Sequence, residues 1–283
     1  MRVKVNGVWL YFDVEGAGIV PDGPALRERP TLILLHGGPG VDHSVFKPDW
    51  GQLSDCAQII YLDHRGNGRS DDGDPADWNL AQWGDDVRGF CDALDIHKPI
   101  ICGVSFGGFV AQSYATRHPG HAAGLILVST AARFDFPTMF DAFDRLGGPA
   151  ARTAAEAYWL RPTPESRTHY GEVCVPLYQQ CTIDPDWLAR IDLKDDVAMR
   201  FVGPDQEMGQ MDFRNDLANL TMPILILSGR DDPITPPEFS REIYNCAPTG
   251  LRQVIEYDDC GHGVTADRPE QAFATIREFI INC

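Results

Sequence analysis

The sequence PIICGVSFGGFVAQSYA, residues 99–115, places a Gly-x-Ser-x-Gly turn between a strand-like run and a helix-like segment. A strand that turns this sharply into a helix forces Ser105 into strained backbone dihedral angles. Gly103 and Gly107 are then required, because a Cβ at either position would collide with the neighbouring strand or helix. The pattern predicts a serine hydroxyl at the carboxyl end of a sheet and the positive end of a helix, a suitable place for a nucleophile.

An acid and a histidine follow two later apolar runs. Residues 223–228 precede Asp231 and Asp232, and residues 253–257 precede His262. The chain order Ser105, Asp232, His262 is the order of serine, acid and histidine in hydrolases with this kind of turn. Histidine can take the serine proton near neutral pH, and a carboxylate fixes its tautomer. Asp231 is the alternative acid, because spacing alone does not separate it from its neighbour.

A glycine-rich loop, His36-Gly37-Gly38-Pro39-Gly40, follows the strand-like run 31–35. Attack of a serine on an acyl group creates an oxyanion, which needs hydrogen-bond donors aimed at it. We predict that these donors are the backbone N–H groups of Phe106 and Gly38, with Gly37 as the alternative to Gly38.

Together these motifs resemble the α/β-hydrolases of the proline iminopeptidase-like (prolyl aminopeptidase) group. The matching segments are residues 36–40, 63–70, 103–108, 229–236 and 261–262. The resemblance implies a triad of Ser105, Asp232 and His262, an oxyanion hole from Gly38 and Phe106, and no metal or organic cofactor. It extends over about residues 1–133 and 220–283, and leaves the middle of the chain unmatched.

Two features differ from that group. Phe106 stands where the iminopeptidases carry tryptophan, and the local strings that supply their amine-binding glutamates are absent. The expected function is therefore serine hydrolysis of a carboxylic ester, lactone or amide through an acyl-enzyme. The alternatives are an iminopeptidase-type aminopeptidase that releases an N-terminal residue, and a non-catalytic ligand receptor with the hydrolase fold. Residues 63–70 are expected to form a structural loop tied by Asp63 and Arg65.

The rest of the chain predicts an α/β fold with a mostly parallel eight-stranded sheet flanked by helices. Asn6-Gly7 indicates an amino-terminal hairpin. A helix is expected at 80–95, with Asn79 as its N-cap, and another at 269–281. Residues 16–30 are expected to form a loop. Apolar runs predict parallel strands at 31–35, 58–63, 99–104, 124–129, 223–228 and 251–257.

This alternation of strands and helices breaks between residues 132 and 218, where helix-like fragments are separated by prolines. We predict a helical cap here, inserted after the sixth strand, with residues 1–131 and 219–283 as the core domain. Caps of this kind cover the nucleophile and select the substrate. The candidate substrate-binding residues are Gly37, Phe134, Tyr158, Trp159 and Glu207.

The composition agrees with a soluble enzyme, and the cytoplasm is the expected location. The expected partner is a small-molecule or short-peptide substrate. The net charge of −17 argues against nucleic acids and anionic membranes as partners. No apolar run approaches the roughly 20 residues that span a bilayer, and the amino terminus lacks the apolar region of a signal peptide. None of the eight cysteines stands in a Cys-x-x-Cys motif, so no metal ligands are predicted. The oligomeric state is left open.

Overall fold

Six apolar runs form parallel strands, each within one residue of its expected bounds. The computed structural model describes all residues 1–283. Its large sheet has the strand order β1-β2-β6-β5-β7-β8-β9-β10, in which only the β1–β2 and β2–β6 pairs are antiparallel. The predicted α/β-hydrolase fold is confirmed. The strands are β1 Arg2–Val5, β2 Val8–Glu15, β3 Ile19–Asp22, β4 Ala25–Glu28, β5 Thr31–Leu35, β6 Gln58–Leu62, β7 Ile100–Val104, β8 Gly124–Val128, β9 Ile224–Gly229 and β10 Arg252–Tyr257.

The two hairpins of the amino-terminal region differ in how well the sequence predicts them. Asn6 and Gly7 both have positive φ, 45° and 89°, as the turn between β1 and β2 requires. The loop expected at 16–30 is wrong, since β3 and β4 pair there as a separate two-stranded sheet. These short strands are mostly exposed, so they lack the apolar alternation by which a half-buried strand is recognised.

Helices cover both faces of the large sheet. Helix α1 ends two residues before its expected end, and the side chain of Asn79 caps it by accepting from Gln82 N at 2.9 Å. No helix combines the length and apolar composition needed to cross a membrane. The helices are α1 Leu80–Ala93, α2 Phe106–Arg117, α3 Phe136–Leu160, α4 Pro164–Val173, α5 Pro185–Arg190, α6 Asp195–Phe201, α7 Glu207–Gln210, α8 Arg214–Leu217, α9 Pro237–Cys246, α10 Val264–Asp267 and α11 Pro269–Asn282.

Two apolar clusters lie on opposite faces of the sheet, because successive side chains of a strand point to opposite sides. Ile33 and Leu35 of β5 belong to one cluster, and Leu32 and Leu34 belong to the other. The first cluster also contains side chains of α1, α2 and α9, and the second contains the inner face of α11.

Residues 132–218, which we call the cap segment, contain α3 to α8 and lie between β8 and β9. Helix α3 is broken at Gly148, where φ is 71° and Pro149 follows. Buried side chains of the cap segment, such as Phe140 and Phe201, belong to the same apolar cluster as α1 and α2. The cap segment therefore packs directly on the helices that flank the sheet.

The loop formed by residues 63–70 is held by two buried charged side chains. Asp63 accepts hydrogen bonds from the backbone N–H groups of His43 and Arg69, at 2.8 and 2.9 Å. Arg65 pairs with Asp86 of α1 through two hydrogen bonds of 2.8 Å, and both side chains are almost fully buried. The loop is thus tied by Asp63 and Arg65, as the sequence predicts.

We expect Asp86→Asn to lower the free energy of unfolding by about 3–5 kcal/mol, because it leaves the Arg65 charge buried without its main partner. Urea unfolding measures the change. Asp92→Asn is the matched control on the same helix, since Asp92 pairs with Arg88 at an exposed position and should contribute less than about 1 kcal/mol. Equal losses in the two variants would contradict the prediction.

Candidate active site

The turn between β7 and α2 holds Ser105 in a strained conformation, with φ 55° and ψ −120°. A Cβ at Gly103 would overlap the carbonyl of Gly107, and a Cβ at Gly107 would overlap that of Leu35. The backbone of α2 therefore lies directly on β5 and β7, which is the reason for glycine at both positions.

The end of the neighbouring strand β8 contacts both this turn and the loop that carries His262, residues 258–263, which we call the histidine loop. Ser105 N donates to the carbonyl of Val128 at 2.9 Å, and Thr130 Oγ1 donates to the carbonyl of Ser105 at 2.9 Å. The next residue, Ser129, donates from its hydroxyl to the carbonyl of His262 at 2.8 Å. Residues 128–130 thus bring Ser105 and His262 to one edge of the sheet.

Asp232 and His262 form a hydrogen-bonded pair, with 2.8 Å between Oδ2 and Nδ1. Asp232 is fully buried and also accepts from Ile234 N, Thr235 N and Thr235 Oγ1, at 2.8, 2.9 and 2.7 Å. Burial would raise the pKa of Asp232, but His262 and the hydrogen bonds from Thr235 outweigh it and lower the pKa below its usual value. The carboxylate is therefore held ionised next to the imidazole.

The neighbouring acid has a different position. Asp231 is one-third exposed and lies 3.8 Å from the guanidinium of Arg145, in the cap segment. The structure brings Asp232, and not Asp231, to His262.

Residues 178–181 of the cap segment, which we call the strap, contact the histidine loop. His262 N donates to the carbonyl of Tyr178 at 2.5 Å, and the two rings lie 5.5 Å apart. Asp267 accepts from Gly261 N with one oxygen and from the strap residues Gln180 and Cys181 with the other, at 2.8–2.9 Å. Asp267 therefore links the histidine loop to the strap.

The glycine-rich loop after β5 lies beside the serine. A Cβ built on Gly37 would be 3.4 Å from the Cβ of Ser105. Gly38, with φ 108°, lines the same pocket as Ser105. Two hydrogen bonds fix the loop. Gly40 N donates to Asn67 Oδ1 at 2.7 Å. Lys194 N, in the cap segment, donates to the carbonyl of Gly40 at 2.8 Å.

Phe106 is the first residue of α2, and its N–H group has no carbonyl within the helix to bond. No side chain caps this end of the helix. The Phe106 ring is fully buried and packs edge-on against Trp83 and Phe201, at 5.0 and 5.1 Å between centroids. The aromatic contacts hold the first turn of α2 in place, and its positive end faces the serine.

A small, mostly apolar pocket opens onto Ser105. Two of the predicted substrate-binding side chains, Phe134 and Trp159, line it. The complete lining is Gly38, Pro39, Ser105, Phe109, Phe134, Trp159, Phe201, Val202, Met208 and Ile234.

The other three predicted substrate-binding residues are not part of this lining, although Gly37 lies beside Ser105. Glu207 accepts a hydrogen bond from Leu80 N at 2.9 Å, so its carboxylate caps the amino-terminal end of α1. Tyr158 is buried against Trp159 and Tyr170 in the cap segment. Glu207 was a candidate because of its charge, but its carboxylate caps α1. Tyr158 was a candidate because of its aromatic ring, but that ring packs inside the cap segment.

Several lining residues were not predicted from the sequence. Phe109 lies one helical turn after Ser105 on α2, so the spacing of residues on one helix face could have identified it. Phe201 and Val202 come from the end of α6, and Ile234 from the loop after Asp232. No local pattern marks these positions.

No group of three or more His, Cys, Asp or Glu side chains in the protein is arranged to hold a metal ion.

The profile of the family described as serine aminopeptidase, S33, matches residues 29–269. The chain belongs to this family. The predicted resemblance to proline iminopeptidase-like α/β-hydrolases is therefore confirmed. This protein is an enzyme of the α/β-hydrolase class.

Three similar proteins show the range of its relatives. This chain is 25% identical over 257 residues to 3-oxoadipate enol-lactonase 1 of Acinetobacter baylyi, and the match covers 89% of this chain and 90% of the relative. An esterase from Thermogutta terrifontis has a TM-score of 0.72 at 27% identity, covering 99% and 98% of the two chains. A proline iminopeptidase from Mycobacterium smegmatis shares the fold, with a TM-score of 0.78 at 19% identity over 99% and 97% of the chains.

The lowered pKa of Asp232 predicts a specific loss of stability in acid. Its folded-state pKa lies below the unfolded value of about 3.8, so its contribution is complete above that value and is lost as the pH falls through the lowered pKa. Between about pH 5 and pH 3, the unfolding free energy of the wild type should fall more than that of Asp232→Asn. Urea unfolding at each pH measures this. Asp231→Asn keeps the Asp232 carboxylate and should keep the steeper fall, so a shallow profile there would contradict the assignment.

We expect Asp267→Asn to loosen the histidine loop and the strap together, because an amide nitrogen cannot accept the hydrogen bonds that a carboxylate oxygen accepts. Backbone amide exchange should accelerate at Gly261, Gln180 and Cys181, by about tenfold or more for a loss of about 1.4 kcal/mol. Asp258→Asn, an exposed position near the same loop, is the control and should leave these amides protected. Unchanged protection in Asp267→Asn would show that other contacts hold the strap.

Proposed function

We propose that this enzyme is a serine hydrolase that cleaves a carboxylic ester, lactone or amide of a small molecule through an acyl-enzyme. Ser105 is the nucleophile, His262 the base and Asp232 the acid. The observation that carries the proposal is the 2.8 Å pair between buried Asp232 and His262 Nδ1, at the same sheet edge as the strained Ser105 turn.

The hydrogen bond to Asp232 defines the role of each imidazole nitrogen. Because Nδ1 donates to the carboxylate, Nε2 of the neutral ring carries a lone pair and can take a proton. Ser105 Oγ attacks the substrate carbonyl carbon while its proton moves to His262 Nε2. The imidazolium then gives that proton to the leaving oxygen or nitrogen, which leaves an ester on Ser105. A water molecule activated by the same nitrogen hydrolyses this ester and restores the serine.

The tetrahedral intermediates carry a negative oxygen, and two backbone donors are proposed to bind it. These are the N–H groups of Gly38, in the loop next to Ser105, and of Phe106, at the uncapped end of α2. Donors fixed in a mostly apolar pocket stabilise the developing charge without having to reorient, and one such donor contributes about 2.7–4 kcal/mol in other enzymes.

The pocket lining supports an uncharged substrate. No carboxylate lines it, whereas release of an N-terminal residue requires a group that binds the free amine. Glu207 caps α1, and Glu156 pairs with Arg152 at 2.8 Å on the surface of the cap segment. The similarity to an enol-lactonase and an esterase agrees with an ester or lactone substrate.

Turnover of matched substrates by the wild type and Ser105→Ala tests the proposal. We expect the wild type to hydrolyse a short-chain aryl ester, and Ser105→Ala to lose about 10⁴-fold or more in kcat, because the nucleophile is removed. Retention of full turnover by Ser105→Ala would refute the mechanism.

A proline arylamide and its N-acylated form provide the comparison for substrate class. Little cleavage of either, beside rapid ester cleavage, is the expected result. Rapid cleavage of the free arylamide with a much lower rate for the N-acylated form would instead establish the aminopeptidase activity.

A further inference from the structure

The loop of residues 63–70 contacts the glycine-rich loop on both sides of the proposed oxyanion donor. His64 N donates to His36 Nε2 at 3.2 Å, and Asn67 Oδ1 accepts from Gly40 N at 2.7 Å. The side chains of His36 and Asn67 are fully buried, so both contacts are shielded from water. The loop of residues 63–70 therefore reaches the glycine-rich loop from inside the protein.

The contact with His64 decides which nitrogen of His36 carries the proton. A backbone N–H group can only donate, so His36 Nε2 must accept with its lone pair. Burial lowers the pKa of His36 below its usual value, which keeps the ring neutral and places its one N–H group at Nδ1. That nitrogen lies 2.8 Å from the carbonyl oxygen of Gly37 and donates to it. The ring also packs against that of His64, with 4.4 Å between centroids.

The carbonyl of Gly37 and the N–H group of Gly38 belong to one peptide unit. In a trans peptide these groups point in opposite directions, so a bond that holds the carbonyl also fixes the direction of the N–H group. Glycine on both sides leaves the peptide free to rotate unless another group holds it. The Gly38 N–H group makes no hydrogen bond within the protein, and Gly38 lines the pocket beside Ser105. The bond from His36 is thus the restraint on this donor.

We infer that His36 is a positioning residue, which holds the Gly37–Gly38 peptide with its N–H group directed at the oxyanion. The restraint begins in the loop of residues 63–70 and passes through the N–H group of His64 and the His36 ring to the carbonyl of Gly37. The inference rests on the proposed function, since the donor has a purpose only if an oxyanion forms at the nucleophile.

Two amide variants separate the two hydrogen bonds of the His36 ring. His36→Asn places an amide nitrogen near the position of Nδ1, so it still donates to Gly37 but does not reach His64. His36→Gln places an amide oxygen near the position of Nε2, so it still accepts from His64 but lacks the donor to Gly37. The first variant keeps the direction of the Gly38 N–H group, and the second keeps the contact that stabilises the fold.

The kinetics of the two variants test the inference. We expect His36→Gln to lower kcat for a short-chain aryl ester by about tenfold to a hundredfold with little change in KM, because an oxyanion donor acts in the transition state. His36→Asn should retain most of kcat, although it should unfold at a lower urea concentration than His36→Gln. Full kcat in His36→Gln, or an equal loss of kcat in both variants, would overturn the inference.

A spectroscopic measurement tests the inference without turnover. In Ser105→Ala protein, the ring nitrogen resonances of His36 are identified by their loss when His36→Gln is added. We expect a proton on Nδ1 and none on Nε2, and a larger shift of the Gly38 amide resonance in His36→Gln than in His36→Asn. A proton on Nε2, or equal Gly38 shifts in the two variants, would show that His36 does not hold the peptide.

Failure of the proposed chemistry has a different signature. If Ser105→Ala still hydrolyses the ester, the proposed nucleophile is wrong. The proton position on His36 and the Gly38 amide resonance in the same protein still report whether His36 holds the peptide.

Discussion

Helix α2 lies on strands β5 and β7 with backbone against backbone, and this contact determines the geometry of the site. It exists because Gly103 and Gly107 carry no side chain that would separate the helix from the sheet. The close approach places the first turn of α2 at the carboxyl edge of the sheet and forces Ser105 into its strained conformation. Hydrogen bonds from Ser105 to Val128 and from Thr130 to Ser105 hold that conformation. Strain of this kind persists only where the surroundings determine the backbone from several directions.

The cap segment takes part in building the site as well as covering it. Lys194 N bonds the glycine-rich loop, and the carbonyl of Tyr178 bonds the backbone of His262. Glu207 caps α1, whose residue Trp83 packs against Phe106. Each of the three core elements of the site thus has a contact in residues 132–218. The position of the cap segment and the geometry of the site are therefore coupled through short hydrogen bonds, in addition to apolar packing.

Sequence patterns predict the elements whose physical cause is local. Parallel strands buried on both faces must be apolar runs, so their bounds were predictable within one residue. The order of Ser105, Asp232 and His262 follows from the fold, but the choice between Asp231 and Asp232 depends on which side chain turns inward. The hydrogen bonds from Thr235 and His262 hold the Asp232 side chain inward, and no local sequence pattern shows these contacts.

The pocket was less predictable, because its lining combines α2, the cap segment and the loop after β9. Phe109 follows from helical spacing, whereas Phe201 and Val202 depend on how the cap segment docks. Glu207 was predicted to bind substrate, but its carboxylate caps a helix instead. The exposed hairpin of β3 and β4 was missed for a related reason, since strands that bury little surface leave no apolar pattern.

The strap has a consequence for how such enzymes can diversify. Exchange of cap segments between relatives is a direct way to obtain new substrate preferences from one core. In this protein, residues 178–181 and Asp267 form a joint across that boundary, with the acid on the core side and its backbone donors on the cap side. A transplanted cap would have to present two N–H groups and a carbonyl at this joint. The cap segment is therefore not a freely exchangeable module, because its backbone must match Asp267 and His262.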